Sequence, residues 1–188
     1  MPNWCENELQ ITGKEAELQK FIAENFVKNE ESGKSELSFN AAVPEPAHVG
    51  DSWYDWRVKN WGTKWDIADV VQSVEPCRIN LFFSTAWAPP SPWLEVVATR
   101  YPKLKFILSY DEPGMDFAGK EVFENGIPDL AASWEGESLM FAYCSANGCD
   151  EYLEDSGISA AGRDSSAVQE FYCEDHKLAG IVKEHADL

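Results

Sequence analysis

Residues 77–110 read CRINLFFSTAWAPPSPWLEVVATRYPKLKFILSY. The first eleven form the most strand-like run in the chain. Ile79, Leu81 and Phe83 alternate, with Phe82 directed to the other face. Prolines 89, 90 and 92 end that run. Pro92 suits the first turn of a helix with Ser91 as its cap. Leu94, Val97, Ala98 and Tyr101 then share one helical face, Pro102 stops the helix, and residues 103–110 read as a second strand.

The same unit precedes it. Residues 3–12 approach period two from Asn7 and end at Gly13, which predicts a half-buried strand. Leu18, Phe21, Ile22 and Phe26 fall on one face of a helix over roughly 14–28. NEESGKSE (29–36) is turn-like, and the two prolines of LSFNAAVPEPAHVGD (37–51) predict an extended surface run. Asp51 or Ser52 is placed to cap a short helix carrying Trp53, Trp56 and Trp61, which Gly62 ends in the left-handed conformation. A strand over about 63–71 follows, with Trp65 opening it in the core, and then a turn over Ser73–Pro76.

The order strand, helix, strand, strand, helix, strand is the split βαβ arrangement of a ferredoxin-like α+β fold. It holds an insertion between helix 1 and strand 2, at about 29–62. The expected domains are therefore 1–125, ferredoxin-like, and 126–188, an acidic C-terminal extension packed on it. Residues 119–126 and 138–144 suggest further strands, 150–165 a loop, and 166–184 a helix with Val168, Phe171, Tyr172, Leu178, Ala179 and Val182 on one face.

Three stretches resemble a known family: MPNWCENELQITG at the N-terminus, NWGTKWD at 60–66 and FSTAWAPPSP at 83–92. Together they resemble the YubB-type ferredoxin-like domain of phages, prophages and plasmids, over residues 1 to about 120. The resemblance implies an α+β core and an accessory role on a mobile element, and it brings no catalytic residues. The fold's name implies no iron–sulfur cluster; Cys5 and Cys77 are too few to hold one.

Composition narrows function. The net charge is −18, and residues 111–188 carry 18 acids against four bases. Such a field repels nucleic acid and anionic membrane and attracts basic partners. No apolar run is long enough to span a membrane. The N-terminus lacks the regions of a signal peptide, and five cysteines form no dense framework, so a cytoplasmic protein whose cysteines are reduced thiols or metal ligands is expected.

The strongest candidate for chemistry is Cys144, Cys149, Cys173 and His176, spaced C-x4-C and C-x2-H. Thiolates and an imidazole in two close pairs suit structural Zn²⁺, with the Asn147–Gly148 turn converging the first pair. The competing reading is small core cysteines with no cofactor. Four tryptophans lie within Trp53–Trp65. Buried packing competes there with an aromatic surface for a protein partner, for which Trp53 and Trp56 are the outward candidates. Asp150, Glu151, Glu154 and Asp155 join them as acidic partner-binding candidates.

No nucleophile context or phosphate loop is recognisable. The favoured reading is a non-enzymatic accessory protein binding a basic host protein, including acidic counter-defence by DNA mimicry. The alternatives are a nucleic-acid-binding ferredoxin-like module, which would need a basic aromatic sheet face, and an enzyme of unrecognised type.

Overall fold

The structure is a computed structural model and describes residues 2–29, 33–67, 70–136 and 138. Its elements follow from the patterns above. β1 (Trp4–Thr12) alternates strictly: Cys5, Asn7, Leu9 and Ile11 point inward, while Trp4, Glu6 and Glu8 point to the other face. β5 (Arg78–Ala86) pairs antiparallel with one edge of β1, placing Ile79 opposite Ile11 and Leu81 opposite Leu9. β6 (Lys105–Glu112) pairs antiparallel with the other edge, placing Leu108 opposite Leu9. β4 (Val71–Glu75) lies outside β5, and β7 (Phe117–Glu124) outside β6. The core order is thus β4-β5-β1-β6, the ferredoxin-like arrangement, and the fold is α+β as expected. The sheet continues past residue 125, because β8 (Ile127–Pro128) and β9 (Trp134–Gly136) both pair with β7.

α1 (Glu15–Asn25) and α4 (Ser91–Arg100) cover one face of this sheet. Phe21 of α1 meets Tyr101 and Phe106 edge-on, at 5.2 and 5.9 Å between ring centroids. Trp93, Leu94, Val97 and Ala98 of α4 are all fully buried.

The insertion departs from expectation in ways that have local causes. α1 ends at Asn25 and not at 28, because that side chain turns into the core. Its amide donates to the Phe21 carbonyl (2.7 Å) and to the Tyr101 hydroxyl (2.8 Å). Residues 26–28 instead form β2 (Phe26–Lys28), a hairpin with β3 (Ser35–Leu37). The 37–51 stretch runs along the surface only from about 43. It contains α2 (Phe39–Ala42), and Leu37, Phe39 and Ala42 enter the core. Phe39 lies 4.9 Å from Trp93 and also contacts Trp61 and Phe83. α3 (Trp53–Trp61) grows from a 3-10 turn over Gly50–Ser52 without a side-chain cap from Ser52. Gly62 ends it at φ 84, as its position predicts.

Residues 63–67 do not form a strand. The Thr63 hydroxyl oxygen accepts the Ala86 N–H (2.9 Å) and donates to the Ala86 carbonyl (3.3 Å), which holds the chain beyond the end of β5. The second core strand therefore starts at Val71, and the turn into β5 falls at Pro76 and Cys77. Ser91 is not the cap of α4 either. That position belongs to Pro90, and the Ser91 hydroxyl donates to Glu121. Among the described residues no helix is long and apolar enough to cross a membrane.

Two outcomes follow. A Cβ at Gly62 would lie 2.6 Å from the Pro89 carbonyl oxygen on a left-handed backbone. Gly62→Ala should therefore lower stability by about 2 kcal/mol in urea unfolding. Glu121 is partly enclosed beside α4, and burial raises its carboxyl above the ordinary 4.5 although the Ser91 bond opposes this. Above that ordinary value the folded chain holds a proton that the unfolded chain has lost, so stability falls as pH rises toward the raised value. Glu121→Gln keeps an acceptor for Ser91 and removes this penalty. Calorimetry should show it more stable than the parent at about pH 7, with the gap closing near pH 4.

Candidate functional site

The three stretches quoted from the sequence meet at one end of the sheet. The junction is built on Asn7. Its buried amide donates to the Cys5 carbonyl (2.8 Å), the Thr85 hydroxyl (2.8 Å) and, at longer range, the Phe83 carbonyl (3.3 Å). Thr85 in turn donates to the Ala88 carbonyl (2.7 Å). These bonds lock the start of β1 to the end of β5. One residue on, the Trp87 N–H bonds the Asn3 carbonyl at 3.0 Å and extends the ladder. Trp87 then takes φ 66, a left-handed backbone rare for a bulky residue and worth about 1 to 2 kcal/mol of strain.

The segment 60–66 divides into inward and outward residues. The Asn60 amide donates to the Trp56 carbonyl (2.7 Å), and the fully buried Trp61 donates its indole N–H to the Val43 carbonyl (2.9 Å). Gly62 makes the turn and Thr63 pins it to β5. The Asp66 carboxylate accepts from the Ser38 hydroxyl (2.7 Å) and from the backbone N–H groups of Phe39 (2.6 Å) and Asn40 (3.2 Å), which caps α2. These five residues hold structure together.

Lys64 and Trp65 are the two that face out. Trp65 stacks on Trp87 (6.2 Å, 24°) and tilts against Trp4 (6.1 Å, 35°). Trp4, Trp65 and Trp87 remain 46%, 39% and 37% exposed, so the three rings form a continuous aromatic surface. The Lys64 ammonium lies 4.5 Å from the Trp65 ring centre and within 6.0 Å of those of Trp87, Trp53 and Tyr54. Arg57 stands 5.1 Å from the centre of the Trp53 ring and 5.0 Å from that of Trp61, and pairs with Glu45 at 2.6 Å.

Of the sequence candidates, Trp53 and Trp56 are half-buried. Trp56 packs edge-on against Trp61 at 5.6 Å, and Trp53 lies between Tyr54 and Arg57. Trp65, expected in the core, is at the surface, because Thr63 holds this segment out of the sheet. Cys144, Cys149, Cys173 and His176 fall outside the described residues, as do Asp150, Glu151, Glu154 and Asp155. Among the described residues no group of three or more His, Cys, Asp or Glu side chains could hold a metal ion.

Some acids serve the fold. Glu112 is buried, and its carboxylate accepts from the N–H groups of Gly114 (3.0 Å) and Met115 (2.7 Å) to build the β6–β7 turn. Cys5 is no nucleophile. Burial pushes its thiol up to about 12, and the neighbouring Glu112, Asp111 and Glu6 carboxylates push the same way.

The sequence carried a signal for one of the exposed rings. Trp4 shares parity with Glu6 and Glu8 on β1, and so lies on the polar face. Nothing comparable marks Trp65 or Trp87, whose exposure depends on the Gly62 turn and on the left-handed Trp87 backbone.

Residues 60–141 match a family described as the ferredoxin-like domain in Api92-like protein. The match begins at the NWGTKWD segment and runs past the expected end of the domain at 125. The fold is similar to that of the protein Api92 from Yersinia pseudotuberculosis, known from a crystal structure. The two are 10% identical, the alignment covers 73% of this chain and 98% of that one, and the TM-score is 0.54. No curated protein matches the chain.

The two described thiols differ in a way that alkylation reads directly. Cys77 is exposed and Cys5 is fully buried. In native protein at about pH 8, peptide mapping after brief iodoacetamide treatment should find Cys77 modified and Cys5 unmodified.

Proposed function

We propose that this chain, with its Api92-like ferredoxin-like domain, is a non-enzymatic accessory protein of a mobile genetic element that binds a host protein in the cytosol. The observation that carries the reading is the exposed surface of Trp4, Trp65 and Trp87. Tryptophan is enriched among the residues that dominate protein interfaces, where truncating one costs about 2 kcal/mol or more. A left-handed tryptophan backbone supports it too, since local strain of that kind gathers at functional sites. The mobile-element origin rests on the resemblance of the N-terminal, 60–66 and 83–92 segments to YubB-type domains.

The net charge of −18 favours a partner with a basic surface, and counter-defence by occupying the nucleic-acid channel of a host effector is the specific form of the proposal. The nucleic-acid-binding alternative has less support. The face of the sheet opposite α1 and α4 carries Glu6, Glu8 and Asp111 where single-stranded RNA would call for cations. The zinc staple at Cys144, Cys149, Cys173 and His176 is an independent proposal for the C-terminal region, and metal analysis of purified protein tests it.

The test is affinity capture from host lysate with the full chain and with Trp65→Ala/Trp87→Ala. Each ring is more than half buried and the two stack, so unfolding midpoints should fall, and capture is compared at a temperature where both proteins remain folded. Capture of the partner should fall by about tenfold or more. A partner held equally well by the double variant would overturn the reading. Capture should also weaken as salt is raised.

A further inference from the structure

The face of the sheet opposite α1 and α4 bears on the partner's chemistry. Along β1 it presents Trp4, Glu6 and Glu8 in succession. The register places Ser84 and Asp111 on either side of Glu6, and Phe82 beside Glu8 with Val71 beyond it. Ser84 donates to the Glu6 carboxylate at 2.8 Å, which fixes that group in place. Glu6, Glu8, Asp111, Phe82 and Val71 line a shallow cavity of about 350 Å³. Phe82 and Val71 stay exposed at its edge. One Asp111 carboxylate oxygen is shielded from solvent yet has no hydrogen-bond donor among the described residues.

The charges around this cavity are lopsided. Lys105 is engaged by Glu124 (3.1 Å), and Lys120 lines an adjoining cavity at the Glu8 end together with Gln10, Ile107 and Ser109. Among the described residues the Glu6–Asp111 end forms no salt bridge. Lys64 packs on Trp53, Tyr54, Trp65 and Trp87, and the acids of the strip start at Glu6, two residues past Trp4.

We infer that this face takes an extended segment of a partner protein with arginines at alternate positions. The inference rests on the protein-binding reading above. Successive same-side residues on β1 are about 7 Å apart, and an extended peptide repeats its own same-side residues at that spacing. A guanidinium offers a planar fork of donors that fits a carboxylate, and its flat face stacks on an aromatic ring. Trp4 beside Glu6 and Phe82 beside Glu8 each pair a ring with a carboxylate in that way. A lysine would meet the charge but leave the rings and the second carboxylate oxygen less well used. A nucleic-acid strand would bring phosphates against three carboxylates.

Calorimetric titration of the full chain tests this with two peptides of identical composition, GRSRSRG and GRRRSSG, and with a short single-stranded oligonucleotide. The alternating peptide should bind about fivefold tighter than the blocked one. Glu6→Gln/Asp111→Asn should weaken it about tenfold. Glu15→Gln/Glu75→Gln removes as much charge from exposed positions outside the cavity and should change binding less than about twofold. Glu6→Gln alone, on an exposed side chain, serves if the double variant unfolds early.

Equal weakening by both double variants, equal binding of both peptides, or preference for the oligonucleotide would each overturn the inference. Partner capture separates it from the broader reading. Capture lost with Trp65→Ala/Trp87→Ala but kept by Glu6→Gln/Asp111→Asn overturns this inference alone, whereas capture indifferent to both overturns both.

Discussion

The contact between Gly62 and the Pro89 carbonyl decides where the tryptophans stand. It joins the end of α3 to the proline run that follows β5, and a Cβ would lie only 2.8 Å from the Pro92 ring as well. One residue before it, Trp61 is driven into the core. One residue after it, Thr63 is bonded to both backbone groups of Ala86. With these neighbours held, Lys64 and Trp65 can only leave on the outer side, where they meet Trp87. The strained backbone of Trp87 persists because it is held from both sides, by its N–H bond to Asn3 and by the Thr85–Ala88 bond around it.

The insertion is thus part of the core and not an appendage. Phe39 contacts Trp61, Phe83 and Trp93, drawing on the insertion, β5 and α4 at once. Asp66 ties the same region down from the other end by capping α2. Burying rings of this size against one another is worth about 2 kcal/mol or more each, which outweighs the cost of one left-handed residue. The exposed aromatic surface therefore stands on a rigid base, as a binding surface requires if ordering is not to consume its affinity.

Acidity has several roles in the one chain. Glu112 and Asp66 are spent on turns and caps, where backbone N–H groups satisfy them. Glu121 is shielded beside α4 and weighs against stability at neutral pH. Glu6, Glu8 and Asp111 stand on the sheet face opposite α1 and α4. Among the described residues, then, acids that are alike in the sequence differ in what they are placed to do. Arg57 and Lys64 lie against the aromatic rings instead, on the other side of Trp4 from those acids.

Local pattern alone determined much of this protein. Period-two alternation in 3–12 and 77–87, and helical periodicity in about 14–28 and in the run from Ser91 to Tyr101, specified the strands and helices of the ferredoxin-like sheet to within a turn, because one face of each had to be apolar. Gly62 as a helix stop was legible for the same local reason. Tertiary structure decided the rest. Asn25 ends its helix because Tyr101, distant in sequence, offers it a partner. Phe39 leaves the expected surface run because Trp61, Phe83 and Trp93 leave a place for it. Trp65 is exposed and Trp61 buried although both are tryptophans four residues apart in one segment. Nothing in their immediate sequence separates them, since the difference comes from the hydrogen bonds and close contact that Gly62 and Thr63 make with another strand.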